Sequence, residues 1–215
     1  MDFNSSSKLG MLGEELFEKY LSSTGKLYKD VRNDERFQEL DIDYVIFKPE
    51  YYTEDDRCLD VYLSSALESG NPDVYKKRRE KIGCSVEVKV DCVTHNRKAY
   101  PEGTISHGTG NMVYEVISHN NVGCMARTRT DYLFYVCVDN FDNKDVYEVV
   151  KVYYGDMFDI RAYICNPDNK DAVKVKALKF VDGKEENIFN LLLPVNDMVL
   201  KGALSDCTST YKDLI

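Results

Sequence analysis

An α/β fold is what the sequence predicts, on three observations. One segment near the N-terminus repeats apolar residues at helical spacing, and four later segments run or alternate β-branched and aromatic residues over strand length. The third observation concerns charge. Two of the predicted strands, residues 40–47 and 84–90, carry acidic side chains where a core strand ordinarily has none.

Taken in order, residues 1–7 are polar and serine-rich and are expected to be loose. Residues 8–21 place Leu9, Leu12, Leu16, Phe17, Tyr20 and Leu21 on a helical period, with Ser5 to Ser7 as caps before it and Ser22-Ser23-Thr24-Gly25 as a stop. Glu14 stands at i, i+3, i+7 with Phe17 and Leu21 and borders the buried face. Its neighbour Glu15 is the alternative inward carboxylate. Residues 26–39 read as a charged connection. The first acidic strand follows, and in it Asp41 and Asp43 share one face by the period of two. Asp43 is favoured over Asp41 as the residue at a site, because the apolar run Tyr44-Val45-Ile46-Phe47 begins immediately after it.

Residues 48–83 form a long insertion with a helix expected over 59–67 and a basic run, Lys76-Lys77-Arg78-Arg79-Glu80-Lys81. That run suits either a solvated helix face or a phosphate contact. Long insertions carry function or adapt partners, here substrate contact or oligomer contact. In the second acidic strand Glu87 and Lys89 are two apart, so they point to one face about 7 Å from each other along the chain. If the two strands are antiparallel neighbours, a carboxylate from each meets beside one ammonium. That is the composition of a divalent-metal site with a catalytic lysine.

Residues 91–109 read as a loop near that site, with Arg97, Lys98 and His107 as candidate phosphate neighbours. A third strand covers 112–118 and includes Glu115, a short helix 122–129, and an apolar fourth strand 131–138 suited to a central position. The tail predicts a strand over 146–153, a helix near 156–164, a hairpin over 173–180 that turns near Asp182-Gly183, and a strand-rich end at 191–195.

An acidic residue opening one strand and Glu-x-Lys on the next, here Asp43 and Glu87-Val88-Lys89, resembles the signature of the PD-(D/E)XK nuclease superfamily. The order helix, three strands, helix, strand resembles its core, and Gly13-Glu14 followed by Leu16-Phe17 is similar to its first helix. Thr109-Gly110-Asn111, a strand ending in Glu115, and Asp131-Tyr132 resemble a narrower group of phage- and prophage-encoded nucleases of unassigned substrate. Thr130 replaces that group's alanine, and Cys124 stands where it has an aromatic. The resemblance covers roughly residues 8–138.

It implies a restriction-endonuclease-like core (α-β-β-β-α-β) with a mixed central sheet flanked by helices. One domain would span 1–215, with 48–83 inserted between the first two core strands and 139–215 packed on the core as an extension. It implies a nuclease hydrolysing phosphodiester bonds, with DNA favoured over RNA, in a bacterial or phage-infected cytoplasm. Asp43 and Glu87, helped by the Val88 carbonyl, would hold Mg²⁺ or Mn²⁺. Lys89 would position or deprotonate the attacking water, with metal charge and partial burial lowering its ammonium pKa. Glu14 would hold a water or a second ion, and Glu115 would support from outside. A homodimer fits a superfamily in which cutting both strands takes two sites. The alternative is a module that kept the fold, lost the chemistry and binds a protein partner, which its 16 tyrosines would suit.

Composition narrows the field further. The chain is 43% hydrophobic and 30% charged, with no apolar run near the ~20 residues of a membrane span. The N-terminus shows no basic-then-apolar signal peptide. Seven cysteines, an odd number without a CxxC pair, fit a reduced compartment. His95, His107 and His119, twelve residues apart, do not make a structural zinc site. The net charge of −9 argues against nonspecific coating of nucleic acid, so any phosphate contact must be local.

Overall fold

The structure, a computed structural model, describes residues 3–67, 72–92, 110–139, 147–181 and 184–214. It opens with helix α1 (Phe3–Ser23), strand β1 (Leu27–Asp30), the short α2 (Glu35–Gln38) and β2 (Tyr44–Phe47). The insertion folds as α3 (Arg57–Leu67) and α4 (Pro72–Lys81) and leads into the long β3 (Gly83–Cys92). Then come β4 (Asn111–Ser118), β5 (Asn121–Val122), the single-turn α5 (Cys124–Arg127) and β6 (Tyr132–Asp139). The remainder comprises β7 (Glu148–Asp156), α6 (Met157–Cys165), β8 (Lys174–Val181), β9 (Lys184–Pro194), α7 (Val195–Leu200), β10 (Ser205–Asp206) and α8 (Thr208–Leu214).

A mixed six-stranded sheet in the order β1-β2-β3-β6-β7-β10 forms the centre. β1, β2 and β3 make an antiparallel meander, with Tyr44 opposite Val86 and Phe47 opposite Gly83. β6 then runs parallel to β3, from Val86 opposite Tyr132 to Cys92 opposite Val138, and β7 returns antiparallel along β6. A parallel neighbour needs a crossover, which the segment between β3 and β6 supplies. The meander is tight at one point: a side chain on Gly83 would put its Cβ 2.2 Å from the Ile46 carbonyl oxygen, so only glycine fits this register.

Alternation along the strands sorts side chains to the two faces. On one face α1 lays Leu12, Leu16, Phe17 and Leu21 against Tyr44, Val86, Val88, Phe134 and Val136, joined by Tyr211 of α8. Each such buried side chain is worth roughly 1.5–3 kcal/mol. Helix and sheet approach closely because residue 13 is glycine: a Cβ there would stand 2.9 Å from the Val90 Cβ. On the other face Leu133, Tyr135 and Cys137 pack against Met112, Tyr114 and Leu193 of a second sheet, ordered β5-β4-β9-β8, and against α6 and α7. A third cluster, with Phe37, Val45, Phe47, Leu59 and Tyr62, seats the insertion on β2.

Several expectations are corrected. Residues 3–7 are helical rather than loose, since serine is tolerated in a first turn whose amides lack carbonyl partners. The charged connection 26–39 contains β1 and α2, four residues each, too short for periodicity to show. The first acidic strand begins only at Tyr44, and Asp41 sits in a left-handed turn at φ +48°, so Asp41 and Asp43 do not share a strand face. The strand at 112–118 exists as β4 but belongs to the second sheet, and β1 is the third strand of the meander. The helix expected over 122–129 shrinks to α5, because Asn121 and Val122 pair with Ser118 and Ile117 as β5. Residues 139–215 supply β7 and β10 directly to the central sheet.

One buried hub ties the insertion to that sheet. The Asp131 carboxylate, before β6, accepts from Arg78 of α4, from Tyr62 Oη of α3 at 3.0 Å and from the Ser85 amide at 2.9 Å. Arg78 and Asp131 are 3% and 4% exposed, so the basic run is partly an internal anchor, with Arg79 paired to Asp156 beside it. Lys76, Lys77 and Lys81 of the same run are exposed. Removing one member of a buried pair strands the other charge. Arg78→Ala is expected to lose about 3–5 kcal/mol in urea unfolding, whereas Arg36→Ala, which breaks the exposed pairs with Asp34 and Asp60, should leave the midpoint where it was. Equal midpoints for both variants would show that the hub contributes nothing.

Candidate active site

β2 and β3 part at Tyr44 and Val86, and among the described residues no strand pairs with the β2-side edge of β3 beyond that point. Asp43, the residue before β2, closes the ladder. Its amide donates to the Val86 carbonyl at 3.2 Å, and its Oδ2 accepts the Val88 amide at 2.7 Å. A side-chain oxygen thus satisfies a backbone donor that a strand would otherwise take. Within a strand the N–H and C=O of one residue leave by the same edge, so the Val88 carbonyl faces this opening too.

A cavity of about 460 Å³ lies here, lined by Glu14 of α1, Asp43, Glu87, Lys89 and Asp91 of β3, and Glu115 and Cys124 from the second sheet and α5. Glu87 is 4% exposed, with Oε1 2.6 Å from Lys89 Nζ, while its buried Oε2 has no hydrogen-bond partner among the described residues. Glu14 is ion-paired to Arg32, which also holds Glu18 at 2.8 Å and Asp30 at 2.6 Å and lies over the Tyr44 ring. Glu115 Oε2 accepts the Cys124 thiol at 2.9 Å, and a register shift after Glu115 breaks the β4–β9 ladder at that residue, as bulges do beside sites.

The structure therefore gathers Glu14, Asp43, Glu87, Lys89 and Glu115 around one cavity. Asp41 is elsewhere, in a two-bond pair with Arg127 at 2.6 and 2.7 Å, and Glu15 is exposed. Arg97, Lys98 and His107 lie outside the described residues. Three participants escaped the sequence reading. Asp91, whose Oδ2 accepts the Tyr135 hydroxyl at 3.2 Å, was visible as the next step of the Glu87, Lys89 alternation. Arg32 and Cys124 are remote in sequence from the carboxylates they meet, so no spacing announces them.

Burial raises all three central carboxyls. Glu87 is pushed up to about 8, by desolvation first and by Asp43, with Lys89 opposing. Asp43 is raised by burial despite the Val88 amide, Lys89 and Arg32, and Glu14 is raised by burial despite Arg32. Lys89 shifts the other way from the lowering expected beside a metal ion, while no cation is bound. Burial alone would lower its pKa, but Glu87, Cys124 and Asp43 together hold it above the ordinary lysine value, so it keeps its proton. Burial likewise pushes the Cys124 thiol up to about 12, which makes it a poor nucleophile.

Hard oxygen donors, a buried unpartnered carboxylate oxygen and carboxyls reluctant to ionise describe a cluster short of positive charge, which fits a divalent cation. In the present arrangement no three His, Cys, Asp or Glu side chains among the described residues are grouped to hold a metal ion. The reason is visible in the contacts: Glu14 is engaged by Arg32, Asp43 by the Val88 amide and Glu87 by Lys89. A cation must compete with these donors.

A raised carboxyl stabilises the fold below its unfolded pKa and loses that contribution as pH rises through the folded value. For Glu87 the window runs from 4.5 to about 8, and Asp43 shifts in the same direction. The melting temperature in EDTA is expected to fall across that window in the native protein and to fall less in Glu87→Gln. Parallel slopes in the two proteins would mean that Glu87 is ionised throughout. Among known proteins, no family model, no curated protein and no solved structure matches this chain.

Proposed function

We propose that this protein is a Mg²⁺- or Mn²⁺-dependent nuclease of the restriction-endonuclease-like kind. The observation that carries the reading is the opening between the antiparallel neighbours β2 and β3, where Asp43, just before β2, and the pair Glu87 and Lys89 on β3 face one cavity. The surrounding order supports it: α1, the meander β1-β2-β3, the single-turn α5, then β6 parallel to β3. Among the described residues no helix is long and apolar enough to cross a membrane.

Asp43, Glu87 and the Val88 carbonyl would hold the ion, and Glu14 would take part once Arg32 yields it. The ion supplies Lewis acidity and neutralises charge that builds on a phosphate under attack. The protein's own contribution is positioning and electrostatics. The Val88 amide fixes the Asp43 carboxylate, and Glu87 fixes the Lys89 ammonium. About a third of the Lys89 side chain is exposed to the cavity side, so it can present N–H donors to a scissile phosphate or to the attacking water. While Glu87 is its partner Lys89 remains a cation. It becomes a base only when positive charge draws Glu87 away.

Native protein is to be compared with Asp43→Asn, Glu87→Gln, Lys89→Ala and Asp41→Asn on plasmid, linear and single-stranded DNA and on RNA, each with Mg²⁺, Mn²⁺ or EDTA. Metal-dependent cutting should drop by about 100-fold or more in the first three and persist in Asp41→Asn. Mn²⁺ should raise the melting temperature of the native chain and not of Glu87→Gln. Native rates in all variants would sink the assignment. No cutting together with no Mn²⁺ effect would favour the module that binds a protein partner.

A further inference from the structure

A second cavity, of about 430 Å³, opens at the other end of α1, between the chain leaving that helix, the end of β2 and the start of β3. Lys48 follows Asp43 by five positions along β2, and Thr24 follows Glu14 by ten along α1, so the two cavities lie about 15 Å apart. Its volume is that of a small-ligand pocket. Among the described residues, three that line it carry formal charge, Lys26, Lys48 and Arg79, and no carboxylate does. In a chain of net charge −9 the cavity is a local site of positive charge.

The three cations are not equivalent. Arg79 is spoken for: its guanidinium pairs with Asp156 and lies 5.3 Å from the centre of the Tyr132 ring. Tyr132 in turn stacks on Tyr154 at 4.9 Å. Lys26 and Lys48 are exposed, and neither has an ion-pair partner among the described residues. Their backbones are nonetheless fixed, since the Lys26 amide donates to the Leu21 carbonyl at 3.2 Å and the Lys48 amide to the Ile82 carbonyl at 2.9 Å. Two ammoniums without an ion-pair partner among the described residues therefore rise from anchored, neighbouring positions, one step beyond the Leu27–Phe47 pair of the β1–β2 ladder. The wall on the same sheet face, with Ile46 opposite Cys84 and Pro49 beyond them, is apolar and suits the body of an organic molecule more than a bare inorganic anion.

We infer that this cavity binds a nucleotide-sized phosphate ester, with Lys26 and Lys48 on the phosphate and the Ile46, Cys84 and Pro49 wall against its organic part. The site is separate from the carboxylate cavity and does not rest on the nuclease reading. Recognition is by charge and fit. The Tyr132 ring is already covered by Tyr154 and Arg79, which leaves it no role in base stacking. The shared chemistry admits two sources, a free nucleotide or one unit of a nucleic acid strand.

The test is calorimetric titration of the full chain in EDTA, so that no cleavage intervenes, with adenosine monophosphate, with adenosine, and with a short single-stranded oligonucleotide. Adenosine monophosphate should bind and adenosine should not. Added salt should weaken binding, and Lys26→Ala and Lys48→Ala should each cost about tenfold in affinity. Each alanine should also flatten the salt dependence of oligonucleotide binding by about one unit of slope. Lys26→Arg and Lys48→Arg should retain binding, and Asp41→Asn, which lines neither cavity, should bind adenosine monophosphate as the native chain does. An oligonucleotide that binds more tightly than the monophosphate, and loses that advantage in the alanine variants, identifies the strand as the source. Equal affinities identify the free nucleotide. Adenosine binding as well as its phosphate, alanine variants binding as the native chain does, or no binding of either phosphate compound would overturn the proposal.

Discussion

A strand that loses its neighbour leaves amides bare, and here the amide at that point, Val88 N–H, is taken by the Asp43 carboxylate. The rest of the candidate site follows from this contact. It holds Asp43 against β3 instead of letting it turn to solvent, and it keeps the edge of β3 open while satisfying its first bare donor. Because Glu87 and Lys89 alternate with Val86 and Val88, an edge that opens at Val88 exposes their pair to the same cavity. The close approach of α1 at Gly13 then brings Glu14 to the same place.

The charges at that place are held at a cost. Three carboxyls are lifted by burial, one of their oxygens is unpartnered, and the balancing cations come from Lys89 on the same strand and from Arg32 far along the chain. A core designed for stability alone would place apolar side chains there. The Asp131 hub shows the contrast. It is as deeply buried, but its carboxylate meets Arg78, Tyr62 and Ser85 together, and it opens to no cavity that the carboxylate cluster shares. The one is a closed polar joint, the other an open cluster that lacks a counter-charge.

Much of this arrangement was legible before the structure. α1, β2, β3 and β6 carry long or strongly apolar patterns, and Tyr44 to Phe47 located Asp43 at a strand entrance. β1 and α2 were not legible, because four residues cannot display a period and both depend on tertiary partners, β1 on β2 and α2 on the cluster around Phe37. The strand at β4 was legible as a strand but not by sheet: Met112 and Tyr114 alternate as they would in either, and only the pairing with β9 decides. In the site, Glu14, Glu87 and Lys89 could be read from spacing. Arg32 could not, since it lies 18 positions beyond Glu14, past a helix end and a strand. The basic run misled because exposed and buried arginines look alike in a string, and Arg78 is internal while Lys76 is not.

The pairing of β7 along the whole of β6 has a further consequence. β6 is an eight-residue ribbon, buried over most of its length and apolar from Leu133 to Val138, and β7 covers its far edge from Tyr132 to Asp139. A protease that nicked the chain beyond Asp139 and released the downstream portion would bare that ribbon as a long, flat hydrophobic edge, the template on which chains stack on one another. The C-terminal third thus acts as the protein's own guard against aggregation, a duty independent of whatever chemistry the cavity performs.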